Sequence, residues 1–251
     1  MKRYFVVIIF LVVLLLGQKI IVNHFFNKKQ NVENEEIKVE QQNNQTEKKE
    51  EQTITKTEKY SGIDKLMIVA HPDDESYWGG AHLLEDNYLV VCITCGTLQH
   101  RVTEFKKAMS LTRDDYIMLG YPDLTNGKKD NWEKVYLSIK KDLEDIINVK
   151  QWQQIITHNP EGEYGHIHHK MTNEMVTDLS DSEVLWYFGR YYTKEKIKEV
   201  KNVEKISNST KKIKEQQLIP IYKSQKNAEN AFKHMFDYED FIFNKNWQIN
   251  L

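Results

Sequence analysis

Cysteine is nearly absent: the 251 residues hold two, Cys92 and Cys95, both in the stretch VCITCG. A disulfide framework is thereby excluded, and no second cysteine pair exists to complete a four-cysteine zinc site. The stretch is apolar and β-rich. Residues i and i+3 of a strand point to opposite faces, which opposes a bond between the two thiols. They read as two small buried side chains. An excess of basic charge is also lacking. The formal net charge is −2, which leaves no cationic face for nucleic acid. Aromatic residues are missing from 27–59, a run of Asn, Gln, Glu, Lys and Thr. Such a segment buries too little apolar surface to offset its ordering entropy, so it reads as a disordered polar linker.

What is present begins at the amino terminus. MKRYFVVIIFLVVLLLG sets Lys2 and Arg3 ahead of an unbroken apolar run, Tyr4 to Leu16, which resumes after Gln18 and Lys19 and continues to Val22. No small-x-small cleavage site follows, and residues 1–26 are long enough for a bilayer core of ~30 Å. We read them as a signal anchor or transmembrane segment. The expected location is exported and membrane-anchored with an extracytoplasmic domain, or secreted if the segment is cleaved. The charges flanking the segment leave its orientation open.

From residue 60 to 251 the pattern is that of a folded domain. KLMIVA, YLVVCIT, YIMLGY, QQIITHN and EVLWYF read as strands. Between them lie helical stretches at about 78–85, 101–112, 132–149 and in GHIHHKMTNEMVTDL. Alternation of this kind predicts an α/β fold, a Rossmann-like, mostly parallel sheet with helices on both faces. The Lys-rich tail is expected to end in a helix around Asn227–Phe243.

In open parallel sheets ligands sit beyond the carboxyl ends of the strands. The first strand ends at Ala70 and runs into HPDDE, followed by Gly79 and Gly80; the fourth ends at Thr157–His158, and its loop NPEGEYG leads into HIHH at 166–169. Two His-bearing clusters thus leave one sheet edge. His71 and Asp74 are spaced i,i+3, as are His166 and His169, and such pairs share a helix face. Three ligands with one open position is the catalytic zinc pattern, and a dication also stabilises neighbouring carboxylates that would otherwise repel. Asp73 is placed beside the water of such a site to take its proton. Taken singly these features are ordinary: HPD is a common strand-ending turn, and a glycine pair permits close helix–strand packing. With G-x-G-x-x-G absent, the pair is not a dinucleotide fingerprint.

AHPDDE followed by GG, and later GEYGHIHH, resemble the metal-dependent de-N-acetylases of the PIG-L/LmbE-like family, over roughly 65–188. RVTEFKKA, YPD at 121–123, YKSQ at 222–225 and YEDF at 238–241 are similar to further family motifs. The resemblance implies a Rossmann-like fold and removal of acetyl groups from N-acetylglucosamine-containing substrates. It implies His71, Asp74 and His169 as zinc ligands and Asp73 as general base. His166 would steady the oxyanion or protonate the leaving amine, Tyr164 would polarise the acetyl carbonyl, and Arg101 would bind substrate. Zn2+ is the expected cofactor, although similar donor sets accept other divalent transition metals. An amino sugar or glycan is the expected partner. Two further readings compete: a non-catalytic glycan-binding module on the same fold, and a deacylase of another small amide. His168 is expected at the surface or behind the ligands, and Glu75 is expected to make a supporting hydrogen bond.

Overall fold

The computed structural model describes residues 58–200 and 205–248. The expected anchor at 1–26 and the linker at 27–59 fall, but for the last two linker residues, outside the described residues. Among the described residues no helix is long and apolar enough to cross a membrane.

Six strands form one sheet in the order β3-β2-β1-β6-β7-β8. They are β1 (Lys65–Val69), β2 (Tyr88–Thr94), β3 (Asp115–Tyr121), β6 (Gln154–Thr157), β7 (Leu185–Phe188) and β8 (Phe241–Phe243), with a small separate hairpin of β4 (Leu124–Thr125) and β5 (Lys128–Lys129). All neighbours in the large sheet are parallel except β7 and β8. The mostly parallel α/β sheet expected from the alternation is therefore what forms.

The reason is visible in β1. Leu66 and Ile68 pack on one face with Ile139, Leu143 and Ile147 of α3 (Tyr136–Ile147) and Met175 and Val176 of α4 (Ile167–Leu179). Met67 and Val69 pack on the other with Tyr77, Trp78 and Leu83 of α1 (Asp74–Glu85) and Phe105, Ala108 and Met109 of α2 (Gln99–Thr112). A strand buried on both faces needs a continuous apolar run rather than alternation. Each such side chain contributes about 1.5–3 kcal/mol on full burial.

The chain goes from β1 to β2 and β3 on one side, then returns to β6 on the other. The order thus reverses between β1 and β6, the crevice where α/β sheets place their ligands. HPDDE follows β1 and the NPEGEYG–HIHH segment follows β6.

Three local expectations are corrected. The helix expected from Trp78 starts at Asp74. Its first turn is acidic, so it shows no apolar period, yet Asp74 and Glu75 suit the positive end of the helix dipole. The helix expected from Trp132 starts at Tyr136, because Trp132 itself has a left-handed backbone, φ 55°. The tail helix expected over Asn227–Phe243 is broken. A short helix α6 (Lys226–Phe232) and a 3-10 turn precede β8, which adds antiparallel to β7. Tail residues 208–221 also form α5 (Asn208–Ile213), followed by a π-turn at Lys214–Leu218 that packs on α1. In the glycine pair of α1, Gly80 answers to this packing and Gly79 to β1. A Cβ on Gly79 would sit 2.7 Å from Met67 Cε, and one on Gly80 would sit 3.0 Å from Leu218 Cδ2.

Candidate metal and hydrolytic site

Asp73 caps α1 with φ 130°, a conformation rarely taken by a non-glycine residue. What holds it is a set of buried bonds. The Asp73 amide donates to Glu75 Oε2 at 3.0 Å, and Glu75 Oε1 accepts from Ser76 Oγ and from Tyr222 Oη, both at 2.6 Å. Glu75 therefore has the supporting role expected of it, fully buried, with burial pushing its carboxyl above the usual range. Arg101 lies on the other side of the turn. It donates to the Pro72 carbonyl and, at 2.9 Å, to Ser224 Oγ, and its Nη2 stands 3.6 Å from Asp73 Oδ1.

After β6 the loop turns sharply at Gly162, φ 68°, where a Cβ would lie 2.7 Å from the His166 carbonyl. This turn carries Glu163 into the interior. Both His158 Nδ1 (2.9 Å) and His169 Nδ1 meet Glu163 Oε2, and the Asn159 amide donates to Oε1 at 2.9 Å. Burial would raise the Glu163 carboxyl, but His158 and His169 outweigh it and hold it down at about 2.

The hydrogen bonds fix where the lone pairs point. A carboxylate only accepts, so His169 carries its proton on Nδ1 and presents a bare Nε2. That buried atom has no hydrogen-bond partner, and it stands 3.2 Å from Asp74 Oδ1. Two acceptors facing each other at this distance call for a cation between them. His71 completes the arrangement: its Nδ1 lies 3.1 Å from Asp74 Oδ2, and the His71 amide donates to the same oxygen at 2.8 Å. Although burial opposes a charged ring, Asp74 and Asp123 raise His71 to about 9. The residues thus fit a divalent metal by donor type, by an orphaned nitrogen and by a standing demand for positive charge. His158, by contrast, receives the Ala70 N–H on Nε2 at 3.0 Å and stacks on His169 with ring centroids 3.8 Å apart. It backs the site and has no free nitrogen for a metal.

A cavity of about 330 Å³ opens over these groups. Six of the seven residues singled out in the sequence line it: His71, Asp73, Asp74, Arg101, Tyr164 and His166. The seventh, His169, is fully buried against them, its ring centroid 4.6 Å from that of His166. Burial and the Asp74 charge push Asp73 well above the usual carboxylate range, with Arg101 pulling the other way. His166 is the N-cap of α4, and its Nδ1 accepts from the His168 amide at 3.2 Å. Burial and the neighbouring His71 and His169 hold its ring neutral, down at about 2. Tyr164 is half-exposed, with its ring 4.5 Å from that of Phe232.

Sequence reasoning missed Glu163, His158, Asp123 and Lys129. Glu163 and His158 look like ordinary loop and strand-end residues until Gly162 turns the chain. Asp123 Oδ1 lies 3.4 Å from His71 Nε2, and Lys129 Nζ contacts His166 Nε2 from the β4–β5 hairpin. The expectation for His168 is half corrected: it is fully buried, not at the surface. Because His166 is a cap outside the helix, the rule that i and i+2 face apart does not apply to the pair.

Residues 66–180 match the family model described as PIG-L, GlcNAc-PI de-N-acetylase. The likeness to that family covers this segment of the chain. An uncharacterized protein of Acanthamoeba polyphaga mimivirus is 34% identical over 142 residues, 50% of this chain and 61% of the relative. The match thus spans less than two thirds of that relative's length. Two solved structures share the fold. One is the deacetylase of the antimicrobial reagent A40926 pseudoaglycone, with TM-score 0.51, 14% identity, and 69% of this chain and 86% of the other covered. The other is a conserved protein of Thermus thermophilus, with TM-score 0.52, 15% identity, and 72% and 94% covered.

Proposed function

We propose that the chain is a zinc-dependent hydrolase that removes the N-acetyl group from an N-acetylated amino sugar, a GlcNAc-containing glycan or glycoconjugate. The observation that carries this reading is the bare His169 Nε2 opposite Asp74, with Asp73 lining the same cavity. His71, Asp74 and His169 would hold the metal. A divalent cation there would supply Lewis-acid polarisation of the acetyl carbonyl and make a bound water acidic.

The protein groups do the rest. Asp73, its carboxyl held above the usual range by burial and Asp74, accepts the proton of the attacking water. His166 steadies the oxygen on which charge develops, and Lys129 adds a cation beside it. Tyr164 presents its hydroxyl at the cavity mouth toward the same carbonyl. Acetate leaves, and the amine takes up a proton. The description of the matched family, a GlcNAc-PI de-N-acetylase, supports a sugar amide over other amides.

The exported, membrane-anchored location belongs to the same proposal and is supported by the apolar run from Tyr4 to Leu16. Acetate release by the purified chain from N-acetylglucosamine and its oligomers, with zinc and with a chelator, is the test. Release that the chelator abolishes supports the reading. No release from any amino sugar, alongside measurable glycan binding, replaces it with the binding-module reading. Protease accessibility of the domain in intact cells tests the location.

A further inference from the structure

His168 is a buried histidine beside the site that the proposed chemistry leaves unused, and its surroundings are specific. Its Nε2 lies 2.5 Å from the Asp130 carbonyl oxygen. A carbonyl only accepts, so Nε2 carries the proton and Nδ1 is a bare acceptor. That acceptor faces His71 Nε2 at 2.9 Å. The ring is clamped against Trp132, with centroids 4.1 Å apart and planes within 3°. Trp132 is itself fixed: it is fully buried, its Nε1 donates to the Pro122 carbonyl at 2.8 Å, and its amide donates to Asp130 Oδ1 at 2.6 Å. Trp132 also adopts φ 55°, a backbone state that persists in a bulky residue only where the surroundings enforce it.

We propose that His168 is a positioning residue that accepts the Nε2 proton of His71, so that Nδ1 is the nitrogen left to face Asp74 and to give up its proton to a metal there. The chain of bonds runs in one direction, from His71 Nε2–H to His168 Nδ1, and from His168 Nε2–H to the Asp130 carbonyl. Its terminus is a main-chain acceptor, which holds the direction of the whole relay. The acceptor offered to His71 is a neutral ring nitrogen, although the Asp123 carboxylate stands close by at 3.4 Å. The backbone of the loop 122–132 is thereby tied to His71 through the His168 imidazole. This inference rests on the reading of His71, Asp74 and His169 as metal ligands.

The test uses the full chain labelled with 15N-histidine, read by NMR with and without zinc, together with zinc affinity by chelator competition. A 15N–15N coupling across the hydrogen bond from His71 Nε2 to His168 Nδ1 is expected in both states. Its absence overturns the proposal without any variant being needed. His168→Phe keeps a ring on Trp132 but has no acceptor, and zinc should bind about 10- to 100-fold more weakly, the usual effect of losing a partner behind a ligand. His168→Asn places an amide oxygen where Nδ1 was and should stay near the parent value. If Phe binds zinc as the parent does, or if Asn falls as far as Phe, the acceptor role is wrong. Loss of a second equivalent of zinc in His168→Phe makes His168 a ligand instead, and also overturns the proposal. A parent chain that shows the coupling but binds no zinc refutes the metal reading while leaving the relay standing.

Discussion

The Tyr222 hydroxyl donates to Glu75 Oε1 at 2.6 Å, across 147 residues of chain. Glu75 in turn holds the Asp73 amide, so a residue of the tail fixes the backbone of the proposed base. Tyr222→Phe removes one donor from a fully buried carboxylate, which costs about 1–3 kcal/mol. Urea unfolding should show a lower midpoint with an unchanged slope. A midpoint equal to that of the parent would mean that Glu75 holds the turn without its tail partner.

Asp73→Asn should keep the metal and lose about 10²- to 10⁴-fold in acetate release, the usual contribution of a positioned base. In the parent, burial and Asp74 raise this carboxyl, so activity should rise with pH along a limb lying above the ordinary carboxylate range. Arg101 opposes that shift, and Arg101→Met should move the limb to higher pH. Elemental analysis and pH–rate profiles read both effects; a limb near pH 4 would remove Asp73 from the role.

Asp114 gives a pH dependence independent of the site. It is buried, its Oδ1 accepts the Tyr88 amide at 2.8 Å, and burial first, with help from Glu75 and Asp86, raises it to about 6. An acid with a raised folded value binds its proton more tightly when folded. Its stabilisation is fully present below pH about 4 and is lost as pH rises through about 6, on the order of 3 kcal/mol in all. Asp114→Asn should flatten this fall. Unfolding free energies at pH 4, 5, 6 and 7 decide it, and an unchanged slope would count against the assignment.

Lys214 and Glu239 form a wholly buried ion pair. Lys214 Nζ also donates to the Tyr77 carbonyl at 2.9 Å, and Glu239 accepts the Ala81 amide at 2.8 Å, so both partners grip α1. Lys214→Met leaves a buried carboxylate uncompensated and should cost about 3–5 kcal/mol. The double variant Lys214→Met/Glu239→Gln should recover much of that loss. Thermal unfolding of the single and double variants measures the coupling, and an additive loss would show that the two residues act separately.

The sheet was legible because β1 and β2 are continuous apolar runs, a pattern that parallel strands covered on both faces require. HPDDE and GHIHH were legible because the spacing of donor atoms is a local property. The tail was not. Phe241–Phe243 has no strand signal strong enough to stand alone, and it becomes a strand only because β7 offers an open edge. Trp132 looked helical because its neighbours carry a helical period; stacking with His168 and bonds to Pro122 and Asp130 override that preference.

By itself, then, the sequence determined which atoms are available for chemistry and that two clusters leave the same sheet edge. The tertiary structure decided which nitrogen of each histidine is bare. That choice depends on acceptors brought from elsewhere: Glu163 behind His169 through the Gly162 turn, and the Asp130 carbonyl behind His168. A donor's direction is set by the partner on its far side, and no local spacing encodes where that partner will come from.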